Sequence, residues 1–347
     1  MSREPIPGGA DSKRPANADV AIESILHIQQ RTLLQTLVGN QAFWVAVSIV
    51  IICVIMSITE APFSSMDNFF NITRNFALTG VIALGMTVVI ITGGIDLSVG
   101  SIVGVVAVAS GLVLETDAPW YIAVIAALGA GATIGALNGW LIAYVGLPPF
   151  VVTLGMLSAA RSVAVIMSGN KMLYKFGAGA PTFKAFGAGS ILGIANPVWF
   201  MVVLTLLLAA VLRWTAWGRH LYAIGGNEQA AILTGVPVKR IKMEAYILAA
   251  VTASISGILT LGWAGSAINA MGTGYELRAI ASSVIGGANL MGGEGGSMGA
   301  FVGSALIEII RNSLLMAGVD SNWQGLFVGL FIVAAVLLER VRGRKRE

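Results

Sequence analysis

The chain has 347 residues, of which 56% are hydrophobic and 11% charged, and its mean hydropathy is +0.84. Soluble domains carry about 25% charged residues, so this composition excludes an ordinary soluble protein and predicts a membrane protein. The net charge of +4 is spread over chain ends and connections, without a basic patch interleaved with aromatic residues, which argues against nucleic-acid binding. A single cysteine, Cys53, excludes a disulfide framework, and two widely separated histidines argue against a metal centre.

The chain begins with a polar segment, residues 1–41, that has mixed charge and several proline and glycine residues. This composition is typical of a loosely ordered tail. The first apolar run starts near Ala42, too late in the chain for a secretory signal peptide. We therefore expect residues 1–41 to form a polar tail rather than a cleaved leader.

Ten apolar segments follow, each close to the length of about 20 residues that a helix needs to cross a bilayer. The predicted spans are residues 42–59, 76–92, 97–114, 119–145, 149–169, 197–214, 243–265, 276–292, 297–317 and 323–340. An even number of spans places both chain ends on the same side of the membrane. The prediction is an all-α polytopic protein whose transmembrane domain covers residues 42–340.

Most lysine and arginine residues lie in the first tail, in the 213–242 connection and at the C-terminal end, where residues 341–347 form a basic tail. Cytoplasmic loops carry such an excess, so both tails and this connection are predicted to be cytoplasmic. The 170–196 connection contains three lysines and no acid, yet this arrangement places it outside. We accept that exception because the rule is statistical.

The stretch between the second and third predicted spans, IITGGIDLSVGSIVG, contains Asp96, the only charged residue between Arg74 and Glu115. The paired glycines before it are expected to end one helix. The Asp96 carboxylate can then accept hydrogen bonds from the first free N–H groups of the next helix, where its charge also suits the positive helix end. We predict a capping role, with a role in a translocation path or gate as the alternative.

A weak internal repeat relates GGIDLSVGS, residues 93–101, to GGANLMGGEGGS, residues 286–297, with Asp96 matched by Asn289. Each stretch follows one apolar segment and precedes another. Paired interruptions of this kind point to transporters built from two repeated halves, in which broken helices meet near a pathway. The alternative is a chance similarity between two glycine-rich turns.

The 213–242 connection is unusual for a simple linker. Asn227 can cap a helix, the stretch EQAAILTG has helical composition, and Gly235 and Pro237 end it. The pattern predicts a two-turn helix along the cytoplasmic face. This helix either docks into a partner or is a solvated connector, and the pattern does not decide between the two.

Polar residues inside predicted spans are costly unless they are paired or face water, so each is a candidate functional residue. Glu308 and Arg311 are three residues apart on one helix face, and we predict a structural ion pair. Arg161 has no acid nearby in sequence, and its partner could be Asp96 or Glu308. For the asparagines and Thr153, hydrogen bonds to neighbouring helices or to backbone are the simpler role. The candidates for a translocation path or gate are Asp96, Asn138, Thr153, Arg161, Asn289 and Asn312.

The sequence contains no G-x-x-x-x-G-K-[ST], so it lacks the phosphate-binding loop of nucleotide hydrolases. Five ordered segments instead resemble the transmembrane permease subunit of bacterial ABC importers for ribose, xylose, inositol and related sugars. They are GMTVVIITGGIDLSVGS, PPFVVTLGMLSAARS, AIGGNEQAAILTGVPV, VIGGANLMGGEGGSMGA and NWQGLFVGLFIVAAVLLE. The resemblance covers roughly residues 70–342 and assigns no role to residues 1–69.

This resemblance implies a multi-pass protein of the bacterial inner membrane that forms a homodimer. A cytoplasmic ATPase, usually a fused tandem of two nucleotide-binding domains, would drive it and would bind the ATP and Mg, so this chain would hold no cofactor. A periplasmic sugar-binding protein would deliver the solute. The resemblance also implies a coupling helix that receives the ATPase, and the matching residues are Gly226, Asn227, Glu228, Ala230, Ala231, Gly235 and Val236.

The sequence thus predicts a transport subunit, not an enzyme, that passes a sugar or polyol of the pentose, hexose or inositol class across the inner membrane by alternating access. The rival is a secondary transporter driven by an ion gradient, for which Asp96, Arg161 and Glu308 could be the coupling groups. A passive channel is a third class, and it would not need a docking helix. No residue selects among the sugars.

Overall fold

The computed structural model describes residues 41–320 and, beyond them, 323, 325–327 and 329–330. Residues 1–40, the 341–347 tail and most of the predicted 323–340 span lie outside the described residues. The described part is almost entirely helical. Its elements are α1 (Gln41–Thr59), a 3-10 helix (Ala61–Ser64), α2 (Met66–Ile91), α3 (Val99–Leu114), α4 (Trp120–Ala143), α5 (Pro149–Ser168), α6 (Ala180–Ala188), β1 (Ser190–Ile191), β2 (Ile194–Ala195), α7 (Asn196–Trp214), α8 (Ala216–Gly226), α9 (Glu228–Leu233), α10 (Val238–Ala264), α11 (Tyr275–Ile285) and α12 (Ser297–Met316).

Seven of the described helices are long and apolar enough to cross a membrane: α1, α2, α4, α5, α7, α10 and α12. The apolar α3 is shorter, with 16 residues. α2 begins at Met66, ahead of the predicted start at residue 76, because the Ser65 hydroxyl accepts a hydrogen bond from the Asn68 backbone N at 3.2 Å and caps the helix there. The prediction of a helical, polytopic membrane protein is confirmed.

The predicted span at residues 276–292 was wrong in its extent. α11 ends at Ile285 and has 11 residues, or about 16 Å, which is too short to cross a bilayer. Gly287 has a φ of +101° and turns the chain away from the helix. The apolar residues on both sides of this turn read as one continuous span in the sequence.

The core of the bundle consists of α2, α3 and α10. α2 is buried without interruption from Phe76 to Ile91, and α3 from Val99 to Gly111. A helix that is apolar all round is one enclosed by other elements. α1, α4, α5 and α7 instead expose large apolar side chains, such as Ile58 of α1 at 80% exposure, as helices facing lipid do. The short α3 is therefore an inner helix.

A glycine stripe fixes α4 against α10. Gly135 and Gly139 lie so close to α10 that a Cβ atom would be 2.7 Å from the Tyr246 carbonyl oxygen in one case and 2.8 Å from the Met243 Cα in the other. Small residues allow transmembrane helices to approach in this way, where lipid supplies no hydrophobic drive for association. The stripe anchors α10, whose first turn forms the end of the 213–242 connection.

The 170–196 connection is structured. It contains α6 and an antiparallel hairpin in which Ser190 pairs with Ala195. The backbone N of Gly177 donates to the Leu114 carbonyl at 2.8 Å, which ties the connection to the C-terminal end of α3. The tip of the hairpin carries Leu192, which is 87% exposed.

Candidate functional site

The 213–242 connection folds as two helices, α8 and α9, of which the sequence predicted only the second. Thr215 caps α8 by accepting a hydrogen bond from the Gly218 backbone N at 3.1 Å. The indole N–H of Trp217 donates to the Glu244 carboxylate of α10 at 2.8 Å. These bonds make α8 a fixed support for α9.

Both ends of α9 are held by hydrogen bonds and an ion pair that involve residues predicted from the sequence. The Asn227 side chain accepts a hydrogen bond from the Ala230 backbone N at 3.0 Å, as expected of an N-cap. Glu228 in the first turn forms an ion pair with Lys242 of α10 at 2.7 Å. The backbone N of Val236 closes the other end by donating to a carbonyl of α9 at 3.0 Å.

The two faces of α9 differ in exposure. Ala231 is 3% exposed and faces the fold, whereas Ile232 and Leu233 are 51% and 87% exposed. Two adjacent apolar side chains exposed on a short helix outside the spans form a candidate partner contact. Neither residue was predicted from the sequence, because a six-residue helix is too short for its periodicity to separate the inner face from the outer.

Two glycine-rich turns, residues 92–98 and 286–296, lie side by side beneath α8. The Gly293 backbone N donates a hydrogen bond of 2.9 Å to the carbonyl of Ile91, the last residue of α2, which directly precedes the first turn. These are the two stretches of the predicted internal repeat. We call the four glycines at which the turns and the end of α8 meet the glycine junction: Gly93, Gly225, Gly292 and Gly293.

α8 reaches both turns through backbone contacts. A Cβ atom on Gly225 would collide with the Ile91 carbonyl oxygen and with the backbone N of Gly293. The Tyr222 hydroxyl, also on α8, donates a hydrogen bond of 2.8 Å to the Gly295 carbonyl. Any shift of α8 and α9 must therefore move these two turns or break the contacts with them.

Asp96 is fully buried in the 92–98 turn. Its Oδ1 atom accepts hydrogen bonds from the backbone N and the hydroxyl of Ser98, at 2.9 and 2.6 Å. α3 begins only at Val99, and Ser98, in the N-cap position, makes no side-chain capping bond. The predicted helix cap is thus corrected: Asp96 closes an Asx turn ahead of the helix.

Two other candidate residues support the same turn. The Asn138 amide donates to the Ser98 hydroxyl at 2.9 Å, and the Thr153 hydroxyl donates to the Ile95 carbonyl at 3.2 Å. Thr153 also donates within its own helix at 2.9 Å, the backbone bond that the sequence favoured. The structure brings Asp96, Asn138 and Thr153 together, and all three are fully buried.

Asn289 makes the same local bond in the second turn. Its Oδ1 atom accepts a hydrogen bond from the Met291 backbone N at 2.8 Å, as Asp96 does from the residue two positions on. α12 begins only at Ser297, so Asn289 does not cap it. The pairing of Asp96 with Asn289 in the repeat therefore extends to their hydrogen bonds.

Arg161 of α5 binds backbone carbonyls. Its Nη1 atom donates to Asn269 and Met271 at 2.6 and 2.8 Å, and its Nη2 atom donates to Gly100 at 3.3 Å. Glu276, at the start of α11, lies beside the same part of α3 and provides the opposite charge. Neither this acid nor these carbonyls were predicted from the sequence as partners of Arg161.

The remaining candidates bind neighbouring helices. Glu308 forms the expected ion pair with Arg311 at 2.7 Å. Neither Glu308 nor Asp96, the two acids considered for the α5 arginine, pairs with it among the described residues. Asn312 exchanges hydrogen bonds of 2.7 and 3.1 Å with Asn68, which joins α12 to α2.

An apolar helical bundle, in which α8 contacts two glycine-rich turns and carries the short exposed α9, is compatible with a transport subunit. The chain matches the family "Branched-chain amino acid transport system / permease component" over residues 68–336. It is 36% identical to the ribose import permease protein RbsC of Escherichia coli (strain K12) over 294 residues, which are 84% of this chain and 92% of RbsC.

Two further relatives are similar over most of their length. The fructose import permease protein FrcC of Rhizobium meliloti is 36% identical over 275 residues, 78% of this chain and 76% of FrcC. The D-allose transport system permease protein AlsC of Escherichia coli (strain K12) is 32% identical over 293 residues, 84% and 89%. No solved structure matches significantly. The chain belongs to this permease-component family and is a multi-pass transport subunit of the inner membrane, as the resemblance predicted.

Proposed function

We propose that this chain is the permease subunit of an ATP-binding cassette importer that passes a monosaccharide or polyol into the cell. Relatives of this length that carry names for ribose, fructose and allose support a sugar substrate. The family to which the chain belongs also includes branched-chain amino acid permeases by its description, which supports a second candidate substrate, a branched-chain amino acid. ATP and Mg are bound by a partner ATPase, a fused tandem, and a periplasmic binding protein delivers the solute to a permease homodimer.

This proposal rests on how α9 is attached to the bundle. Its inner residue Ala231 is buried, and its outer residues Ile232 and Leu233 are exposed. The preceding α8 is in backbone contact with the two glycine-rich turns. An ATPase that pushes on α9 moves these turns, and the helices attached to them expose the path to one side of the membrane and then to the other.

The proposed arrangement has ten spans, with both tails and the 213–242 connection in the cytoplasm. The seven long helices, the inner α3 and the pair formed by the irregular residues 265–274 and α11 supply nine passages, and residues 323–340 supply the tenth. Because the chain changes sides at each passage, α9 and both glycine-rich turns lie on the same side of the membrane. That side is where an ATPase binds.

The experiment replaces Leu233 by glutamate in the complex reconstituted with its ATPase and binding protein. Leu233→Glu should lower the amount of ATPase that copurifies at least tenfold, because an unpaired charge is placed in an apolar contact. Leu192→Glu is the matched control, since Leu192 is also 87% exposed and lies in the outer connection. Substitution of the buried Ala231 would displace α9 itself and would not separate docking from folding.

Uptake of labelled ribose and of labelled leucine by the same complex identifies the substrate class. ATP-dependent uptake of ribose supports the proposal, and uptake of leucine supports the second candidate. Normal binding of the ATPase to Leu233→Glu, together with uptake driven by a proton gradient without ATP, would sink the importer proposal in favour of a secondary transporter.

A further inference from the structure

Between α10 and α11 the chain follows an irregular path, residues 265–274, which we call the re-entrant segment. Near its beginning Ala267 pairs with Leu173 through two backbone hydrogen bonds of 2.8 and 3.0 Å. Near its end Gly272, whose φ is +75°, packs against Gly100 at the start of α3. The segment therefore runs along α3 rather than over the surface of the bundle.

The depth of this segment in the membrane follows from its contacts along α3 and from the length of α11. A Cβ atom on Gly111 would lie 2.9 Å from the Ala267 Cβ, so the segment passes from Gly111 to Gly100, about 16 Å along α3 at 1.5 Å per residue. α11 then covers about 16 Å on its way to the glycine junction. Since a hydrocarbon core is about 30 Å thick, the segment turns near its middle.

Irregular backbone at this depth occurs only where protein or a water-filled cavity surrounds it, because unpaired peptide groups are costly in lipid. On the side of α3, Arg161 meets this requirement by donating to the carbonyls of Asn269 and Met271 at 2.6 and 2.8 Å. Its third bond, of 3.3 Å to the Gly100 carbonyl, fastens the segment to α3. The guanidinium acts as a clamp between the two.

The other side of the re-entrant segment is open. Ala267 and Gly272 are buried, whereas Ile268 and the following Leu277 of α11 are 42% and 48% exposed and Thr273 is exposed as well. Contact with lipid is unfavourable on this side, since the backbone here is not helical and its peptide groups would lack hydrogen-bond partners. We therefore expect water on this side.

We propose that residues 268–273 form a wall of the sugar path near the middle of the membrane, and that Arg161 is the positioning residue that keeps this wall in place. The inference rests on the proposed function. The sugar meets short side chains and peptide groups on this wall, which suits passage without tight binding. Lysine would not replace the arginine, since its single ammonium group cannot reproduce a planar fork across several carbonyls.

The test is cysteine accessibility in the assembled complex with its ATPase and binding protein. Cys53, the only cysteine, lies in α1, and Cys53→Ala gives a parent free of thiols. Thr273→Cys in this parent should react with a positively charged methanethiosulfonate at least tenfold faster than Ala267→Cys, the buried control. The modification should block ribose uptake, and ribose with ATP turnover should change the rate of modification several-fold.

The clamp is tested in the same assay. Arg161→Gln should raise the reactivity of Ala267→Cys several-fold and thereby narrow the tenfold difference from Thr273→Cys, with a smaller change for Arg161→Lys. The melting temperature of the complex is measured in parallel. If Arg161→Gln does not fold, the reactivity of Ala267→Cys is compared between the parent and Arg161→Lys. Unchanged reactivity of Ala267→Cys in both variants would overturn the role of the clamp.

Two results would overturn the wall itself. One is a Thr273→Cys residue that stays unreactive during turnover, or whose modification leaves uptake intact. The other is a disulfide between two copies of Thr273→Cys with uptake preserved, which would make this face a contact between permeases. Failure of the proposed function is recognised separately, because the Cys53→Ala parent would then take up no ribose while the labelling pattern still reports the path.

Discussion

At the scale of single residues, the question for the buried Asp96 is whether transport needs its negative charge or only its hydrogen bonds. Its Oδ1 atom holds the 92–98 turn through two bonds to Ser98, and its Oδ2 atom accepts no hydrogen bond from the described residues. Asparagine keeps the first acceptor and removes a buried charge, so Asp96→Asn should keep at least half of the uptake and the wild-type melting temperature. Asp96→Ala loses both bonds and should cost about 1–3 kcal/mol of stability.

Uptake by the reconstituted complex and thermal melting of the purified permease measure the two effects. A well-folded Asp96→Asn protein without uptake would show that the charge itself acts in gating or in an ion pair. The second turn offers a comparison, since Asn289 already performs the same bond without a charge.

What the sequence predicted about single residues depended on how local their partners are. The ion pair of Glu308 with Arg311 follows from their separation by three positions on one helix. Arg161 binds carbonyls 108 and 110 residues away, on a segment that has no regular structure. No spacing rule relates such partners, and an arginine that binds backbone has no complementary residue type for a sequence to display.

At the scale of elements, the contact of α8 with the glycine-rich turns makes an unusual prediction about two adjacent glycines. Alanine in place of glycine inside a helix is ordinarily stabilising by about 1 kcal/mol. At Gly225 the new methyl group would meet backbone atoms of Ile91 and Gly293, whereas at Gly226 no atom lies within 4 Å. Crowding of this kind costs about 1–3 kcal/mol, so Gly225→Ala should be destabilised and Gly226→Ala should not.

The measurement is thermal melting of both variants, with ATP hydrolysis and ribose uptake by the complex as a second readout. We expect Gly225→Ala to hydrolyse ATP with a several-fold lower uptake per ATP, because α9 is displaced from the turns it moves. Equal behaviour of the two variants would show that this contact does not transmit motion.

Helices were predicted correctly where local composition and length determine their ends. They were missed or misplaced where contacts with other elements determine them. The cap at Asn227 and the end of α9 follow from local side-chain chemistry. The 276–292 span was overextended because a glycine turn flanked by apolar residues has the hydropathy of a helix. α8 was missed, since the bonds that hold it lie in part on α10, beyond the connection itself.

At the scale of the whole molecule, hydropathy predicted a helical membrane protein and ordered motifs predicted its family, but neither shows how deep each segment lies. Length alone does not separate the buried α3 from a span in contact with lipid. The re-entrant segment is invisible to hydropathy for the same reason. Its existence depends on contacts with α3 and α5 that come from distant parts of the chain.

The orientation of the whole bundle in the membrane can be tested with two leucines of equal exposure. Leu192 and Leu233 are both 87% exposed, in the 170–196 and 213–242 connections. In a Cys53→Ala parent, Leu192→Cys should react with an impermeant maleimide on cells whose outer membrane has been made permeable. The labelling of Leu233→Cys by the same maleimide should rise at least tenfold when the inner membrane is opened. The reverse pattern would invert the permease, place α9 where no ATPase can reach it, and show that the lysines of the 170–196 connection, not those of the tails, set the topology.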